Sequence, residues 1–403
     1  MSFIDCSRVL DKSFFENKLF SNHFSNKKLN YSVLKNCFII PHPSHGFGGL
    51  VNEKKDYIKD SALHNLIHKV EYNFPNCDDC ISETVIYFGV ISKGWGHFLT
   101  DSLKRAWFFL NNNDFDNYKI IAISDDDKEP AGNFRRIFEL LGIDLKRFVF
   151  INKNTKLKSV IYPDSSFFCD ETDNRRYFTN EYRETIRKIK DASIYNSKYE
   201  NIHKVYFPFS NYRRNKHSLK RAIGEKNIEK LFKNAGYAII RPEKLSVDDQ
   251  ISLLKNAEWM ASTDGSCSHN SIFLNDYSNL IIIPRGPYSS EYQDALNFVN
   301  DLKIYYIDSS LSVFCKEESP WGGPFYFYSS DNLLSFFHTK KRKQFKFKDF
   351  NKYILLASAS NPGNKPFVHN KKLKNKFDEL YLNYIRKKLL YFLHRLVSFL
   401  KSF

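Results

Sequence analysis

The chain has 403 residues, too many for one ordinary hydrophobic core, so two domains plus extensions are expected. With 42% hydrophobic and 16% aromatic residues it can bury a sizeable core, which excludes disorder over most of its length. A formal net charge of +16 favours anionic partners: nucleic acid, phosphate-bearing small molecules or an anionic membrane surface.

The opening residues lack a basic stretch followed by an unbroken apolar run, so no signal peptide is expected. Residues 40–50 (IPHPSHGFGGL) read as a strand running into a loop. Cys77 and Cys80 have CxxC spacing with no second pair beside them, which reads as a loop with two free thiols rather than a zinc site. The seven cysteines are scattered and odd in number, which fits a reducing cytosol. Residues 84–91 (TVIYFGVI) predict a buried strand that feeds through Gly94-Trp95-Gly96 into a helix over 97–110. A strand at 118–123, an acidic turn at 124–129, a helix at 132–141 and strands at 148–151 and 159–162 follow. This alternation predicts an α/β unit.

A polar helix over 179–194 is expected to connect this unit to a second one. There, strand 204–209, basic loop 210–221, helix 225–234 and strand 236–241 lead to helix 246–256, with Ser246 as N-cap. Strand 258–261, a small-residue turn over 262–270 that opens a helix, and strand 280–284 complete a doubly wound cadence. Ligands are expected beyond the carboxyl ends of such strands. Domains are therefore assigned to 1–195, 196–335 and a basic extension 336–403. In the last, residues 377–403 place Tyr381, Ile385, Leu389, Phe392, Leu396 and Phe399 on one stripe among dense positive charge. Such a helix either lies on a membrane interface or packs on the protein's own core, and the two readings stand level. No run of about twenty apolar residues spans a bilayer, so the expected location is the cytoplasm, with peripheral contact at the inner membrane face.

Two segments carry candidate chemistry. In GWGHFLTDSLKRAW (94–107), His97 and Asp101 are four residues apart and share a helical face. In AEWMASTDGSCSHNSIF (257–273), a strand tip, a small-residue turn and a helix entrance offer free backbone N–H groups to an anion. The first segment resembles the amino-terminal signature of glycosyltransferase family 61, in its bacterial capsular-polysaccharide branch. The family's carboxyl-terminal block is matched by Val205 to Ser210, Arg213 to Arg221, Gly224-Glu225, the run Pro242 to Ser246 with Gln250, and Asp264 to Phe273. Where the family often has His-Gly-Ala-Gly, this chain has Asp264-Gly265-Ser266-Cys267. Its Ser210-Asn211 stands for the family's Ser-Arg, which moves the expected guanidinium to Arg213 or Arg214.

The resemblance implies two facing Rossmann-like domains (GT-B type). It implies an inverting, metal-independent transfer from a nucleotide diphosphate-sugar, uridine-linked, to a hydroxyl of a surface polysaccharide or lipid-linked glycan. No cofactor or metal is expected, and Asp125-Asp126-Asp127 reads as an acidic turn. Such a transfer needs a base, either Asp101 or His97, one of which then orients the other. The leaving diphosphate is assigned to Arg213, Arg214 and Arg221 with the N–H groups over Gly265 to His269. Ser266, His269 and Asn270 are further donor contacts, Glu243 is assigned to the ribose, and Asp264 is expected to cap the helix by accepting from Ser266 or Cys267. The runners-up are another phosphate-polymer or phosphoryl transferase on the same anion site and, less favoured, a basic nucleic-acid-binding protein. The latter lacks any recognised nucleic-acid motif.

Overall fold

The apolar runs expected to form central strands do so in a computed structural model of the chain. It describes residues 2–9, 22–41, 48–63, 77, 79–124, 128–209, 222–285, 289–311, 324–339, 347–360 and 375–393, the last without 383, 387, 388, 391 and 392. The architecture is mixed α/β, with parallel pairing in both large sheets. One sheet has six strands in the order Phe3–Arg8, Lys303–Ile307, Asn279–Ile283, Trp259–Thr263, Lys204–Phe207, Ala238–Ile239. Every pairing in it is parallel. Parallel strands are covered on both faces, which is why Leu280 to Ile283 are all apolar and all buried.

The other sheet has seven strands, ordered Tyr57–Ile58, Gly49–Val51, Tyr31–Ile40, Thr155–Pro163, Asp79–Ile91, Ile120–Ser124, Phe148–Phe150. Its first four are joined antiparallel, its last four in parallel. The first strand of the chain does not stay with the residues that follow it. Phe3–Arg8 lies beside Lys303–Ile307 in the six-stranded sheet.

The predicted connector is the helix Asn180–Ala192. Ser246 caps the helix Val247–Asn256, its Oγ accepting from Asp249 N–H. One apolar cluster takes in Phe98, Leu99 and Phe138 from the first unit and Val205, Met260 and Ile272 from the second. The two sheets are thus packed through a shared core.

The helix expected over 97–110 is not uniform. It runs as a short α-turn Trp95–His97, a π-turn Phe98–Ser102, a 3₁₀ turn Leu103–Arg105 and an α-helix Trp107–Asn111. The cause is a pair of adjacent buried cations that must reach the same partner. Lys104 Nζ donates to the carbonyls of Asp60 and Ala62, and Arg105 donates to Asp60, Tyr162 and the Pro163 carbonyl. In a regular α-helix, neighbours point 100° apart; the altered winding brings both to Asp60.

At the carboxyl end, helix Phe347–Ser360 packs Phe350 and Tyr353 against Tyr326 and Tyr328. The helical residues 375–386 add Phe377, Leu380 and Tyr384 to that cluster. The buried face therefore differs from the predicted stripe. Tyr381 and Leu389 are exposed, as are Leu382, Leu390 and Leu393, while Phe392, Leu396 and Phe399 lie outside the described residues. No helix among the described residues is long and apolar enough to cross a membrane.

Candidate active site

His97 and Asp101 meet, across the π-turn. Nδ1 of His97 lies 3.0 Å from Oδ2 of Asp101. Their exposure separates them: the histidine side chain is 40% accessible and the aspartate 2%. Only the imidazole can touch a solvent-borne molecule. With Nδ1 committed to the carboxylate, Nε2 is its reactive nitrogen. Neighbouring bonds hold this turn, with Thr100 Oγ1 donating to the Gly96 carbonyl and Ser102 Oγ accepting from Ser92 N–H.

Arg176 approaches the other carboxylate oxygen, its Nη1 lying 3.8 Å from Asp101 Oδ1. It comes from the strand Arg176–Phe178, paired antiparallel with Phe167–Cys169. Tyr292, on helix Glu291–Leu296 of the second unit, hydrogen-bonds Asp101 and packs edge-on against His97 with ring centroids 5.2 Å apart.

The small-residue turn of the second unit faces this pair. Gly96 sits so close to it that a Cβ there would fall 2.6 Å from His269 Nδ1 and 3.0 Å from Ser266 Oγ. Trp95 Nε1 donates to Asn270 Oδ1 at 2.9 Å, and the Asn270 amide donates to the Cys267 carbonyl. Asn270 thus spends its side chain joining the two units. His269 is buried, and neither ring nitrogen has a side-chain hydrogen-bond partner among the described residues; the ring meets the Gly96 backbone. Burial, with His97 adding to it, pushes its pKa down to about 3, so the ring is a neutral imidazole. Ser262 Oγ, Thr263 Oγ1, Asp264 Oδ1 and Ser289 Oγ are likewise buried without a hydrogen-bond partner among the described residues. Orphaned polar atoms at a strand tip mark a place where water or ligand supplies the missing partners.

Two expectations for the turn need correction. Asp264 does not cap the helix through Ser266 or Cys267; its Oδ2 accepts from Ser290 N–H at 3.1 Å. Gly265 turns the chain at φ +122°, and the Asp264 side chain meets the entrance of the helix Glu291–Leu296. Nor are the amides from Gly265 to His269 all open to an anion. Gly265 N–H donates to Ser268 Oγ, and the amides of Ser268 and His269 both donate to the Gly265 carbonyl. The 3₁₀ winding of Ser268–Phe273 closes these bonds within the turn.

The cation at this turn is Arg285, which the sequence reading missed. It follows strand Asn279–Ile283, and its guanidinium lies over Phe209 at 4.8 Å and Phe325 at 5.3 Å from the ring centroids. A Cβ on Gly265 would fall 2.2 Å from its Nη2, so only glycine admits the arginine there. Burial raises the pKa of Asp264 to about 6, against the pull of Arg285. The available signal was position alone, the carboxyl end of the strand beside the turn. Arg176 and Tyr292, also missed, had no sequence signal, because tertiary packing alone brings them to Asp101.

Of the remaining assignments, Arg213, Arg214 and Arg221 lie outside the described residues, as do Asp125, Asp126 and Asp127. Glu243 is exposed on the turn Pro242–Lys244 and close enough to Cys267 to help burial and Glu225 push that thiol up to about 12. Glu225 is buried and accepts from Phe209 N–H at 2.6 Å, fixing the strand exit into the basic loop. Cys77 and Cys80 are free thiols, and the described residues hold no metal-binding group of three or more His, Cys, Asp or Glu.

The family model for glycosyltransferase 61 matches residues 95–281. That span is a glycosyltransferase family 61 domain. The protein is a glycosyltransferase. The domain begins at Trp95, which bonds Asn270, and encloses His97, Asp101, Arg176 and the whole Ser262 to Asn270 turn. Its donor is a nucleotide-sugar and its acceptor a glycan, as the family implies. No curated protein matches the chain.

Proposed function

We propose that this glycosyltransferase moves a sugar from a uridine diphosphate-sugar to a hydroxyl of a surface polysaccharide or lipid-linked glycan, with inversion and without a metal ion. The observation that carries the reading is the accessible His97, backed by a buried Asp101 and facing the small-residue turn of the second unit. His97 Nε2 takes the proton of the acceptor hydroxyl as that oxygen bonds to the anomeric carbon. The bond from that carbon to the donor phosphate breaks, and its electron pair leaves with the diphosphate. Asp101 fixes the tautomer and steadies the imidazolium that forms.

Arg285, packed against Phe209 and Phe325, is the cation for the departing diphosphate, joined by Arg213, Arg214 and Arg221 from the basic loop. His269 and Ser266 face the donor sugar and phosphate, and Glu243 the ribose. The two packed sheets act as facing Rossmann-like halves of the GT-B type, domains 1–195 and 196–335, apart from the strand Phe3–Arg8. The basic tail with exposed Leu389, Leu390 and Leu393 rests on the anionic face of the inner membrane.

Incubation with a panel of nucleotide-sugars and release of nucleotide diphosphate tests the reading. His97→Ala should lower turnover by about 10³-fold with uridine diphosphate binding retained; activity within threefold of wild type would remove His97 as base. Product anomeric configuration by NMR decides inversion, and transfer undiminished in excess chelator is expected. Deletion of 377–403 should abolish pelleting with anionic liposomes.

A further inference from the structure

Asp101 has more partners than a proton-shuttling pair requires. Its Oδ2 takes His97, its Oδ1 faces Arg176 at 3.8 Å, and Tyr292 donates its hydroxyl to the same carboxylate. The last two touch each other, the Arg176 guanidinium lying 3.7 Å from the centre of the Tyr292 ring. They arrive from different places. Arg176 sits on the hairpin of the first unit, where its backbone carbonyl meets His23 Nδ1 at 2.6 Å, while Tyr292 comes from a helix of the second. Arg176 is 5% exposed, so its charge is spent inside the protein rather than on a bound anion.

We propose that Arg176 and Tyr292 are positioning residues that clamp Asp101 from the two units and set how strongly it holds a proton on His97. The inference rests on His97 as base. A carboxylate sharing its charge with a cation and a phenol is a weaker partner for imidazolium. Loosening either jaw therefore leaves more of the carboxylate's charge for the imidazolium. Because one jaw belongs to the second unit, the base reaches this state only when the units are docked. Lys104, Tyr182 and His269 also face Asp101, and Glu291 lies beside Tyr292, but none of these bridges both units to the carboxylate by direct contact in the same way.

The experiment is an NMR titration of the His97 imidazole in full-length, ligand-free protein, with His97→Ala identifying the resonance. Tyr292→Phe keeps the ring and removes the hydroxyl; it should move the titration up by about half a pH unit, and Arg176→Gln by about one. Arg176→Lys should restore most of the second shift. The acid limb of the kcat/KM profile should move in parallel, with KM for the donor unchanged. An unmoved titration in Tyr292→Phe and Arg176→Gln alike, or a downward shift in Tyr292→Phe, overturns the proposal. Should Arg176→Gln fail to fold, Tyr292→Phe carries the test alone. An active His97→Ala enzyme would overturn the assignment of the base while leaving the titration result, and hence the clamp, to be judged separately.

Discussion

Gly96→Ala is the most economical perturbation of the site, since it adds one methyl group where the two units touch. Gly96 has ordinary helical geometry within Trp95–His97, so alanine costs nothing in backbone strain and slightly favours the turn. The methyl, however, would lie 2.6 Å from His269 Nδ1, 3.0 Å from Ser266 Oγ and 3.1 Å from His269 Cε1. Ordinary contact begins near 3.4 Å, so the gap is short by about 0.8 Å on the side of a buried ring that has little room to yield. The turn must retreat from His97 by roughly that distance. Misplacement by about 1 Å between reacting groups costs on the order of 100-fold, or about 2.7 kcal/mol in the barrier. The assay is kcat for transfer, with thermal midpoint and uridine diphosphate affinity measured beside it. A kcat reduced about 100-fold is expected, with the midpoint lowered by no more than a few degrees. A kcat within threefold of wild type would refute the argument that the two units meet at catalytic distance across this glycine.

Three further outcomes are expected. Trp95→Phe removes the 2.9 Å bond to Asn270 and leaves a buried amide oxygen unpaired, costing about 1–2 kcal/mol in urea-unfolding stability; a change under 0.5 kcal/mol would show that bond to be idle. Arg285→Lys should weaken uridine diphosphate binding at least tenfold in calorimetry, because lysine keeps the charge but not the planar fork packed against Phe209 and Phe325; equal affinity in the lysine variant would count against a guanidinium at the diphosphate. Asp264 has its folded pKa raised, to about 6 from 3.8, so its contribution to stability is full below pH 3.8 and is lost as pH rises through 6. Asp264→Asn should therefore gain on wild type by about 2 kcal/mol between pH 4 and 7.5, and a pH-independent difference between the two proteins would contradict this.

The sequence carried the strands well because buried parallel strands must be continuously apolar, as at 280–283. It carried His97 and Asp101 because their contact is local, four residues apart. It did not carry the broken winding between them, which Asp60 imposes on Lys104 and Arg105 from more than forty residues away. Asp264 was misjudged for a related reason. A carboxylate before Gly-Ser reads as a helix cap, yet the Ser290 N–H, remote in sequence, is what it accepts from. Arg176, Tyr292 and Arg285 lie far in sequence from the groups they serve, so no local pattern announces them. The tail was half legible: its amphipathic character was visible, but its buried side is set by Phe350 and Tyr353, which the heptad-like spacing does not register.

The pairing of Phe3–Arg8 with Lys303–Ile307 has a consequence for biosynthesis. The first strand leaves the ribosome about 300 residues before the partner it needs, an interval of roughly 15–60 s at ordinary rates of elongation. Throughout that time the sheet edge it will cover stays incomplete, and Ile4 and Cys6 must find temporary shelter. The edge strand of the second unit is thus drawn from residues about 300 positions earlier, and the two units are threaded together twice, once near each end of the earlier one. A bulky fusion placed ahead of Met1 would burden the pairing of Phe3–Arg8 with Lys303–Ile307.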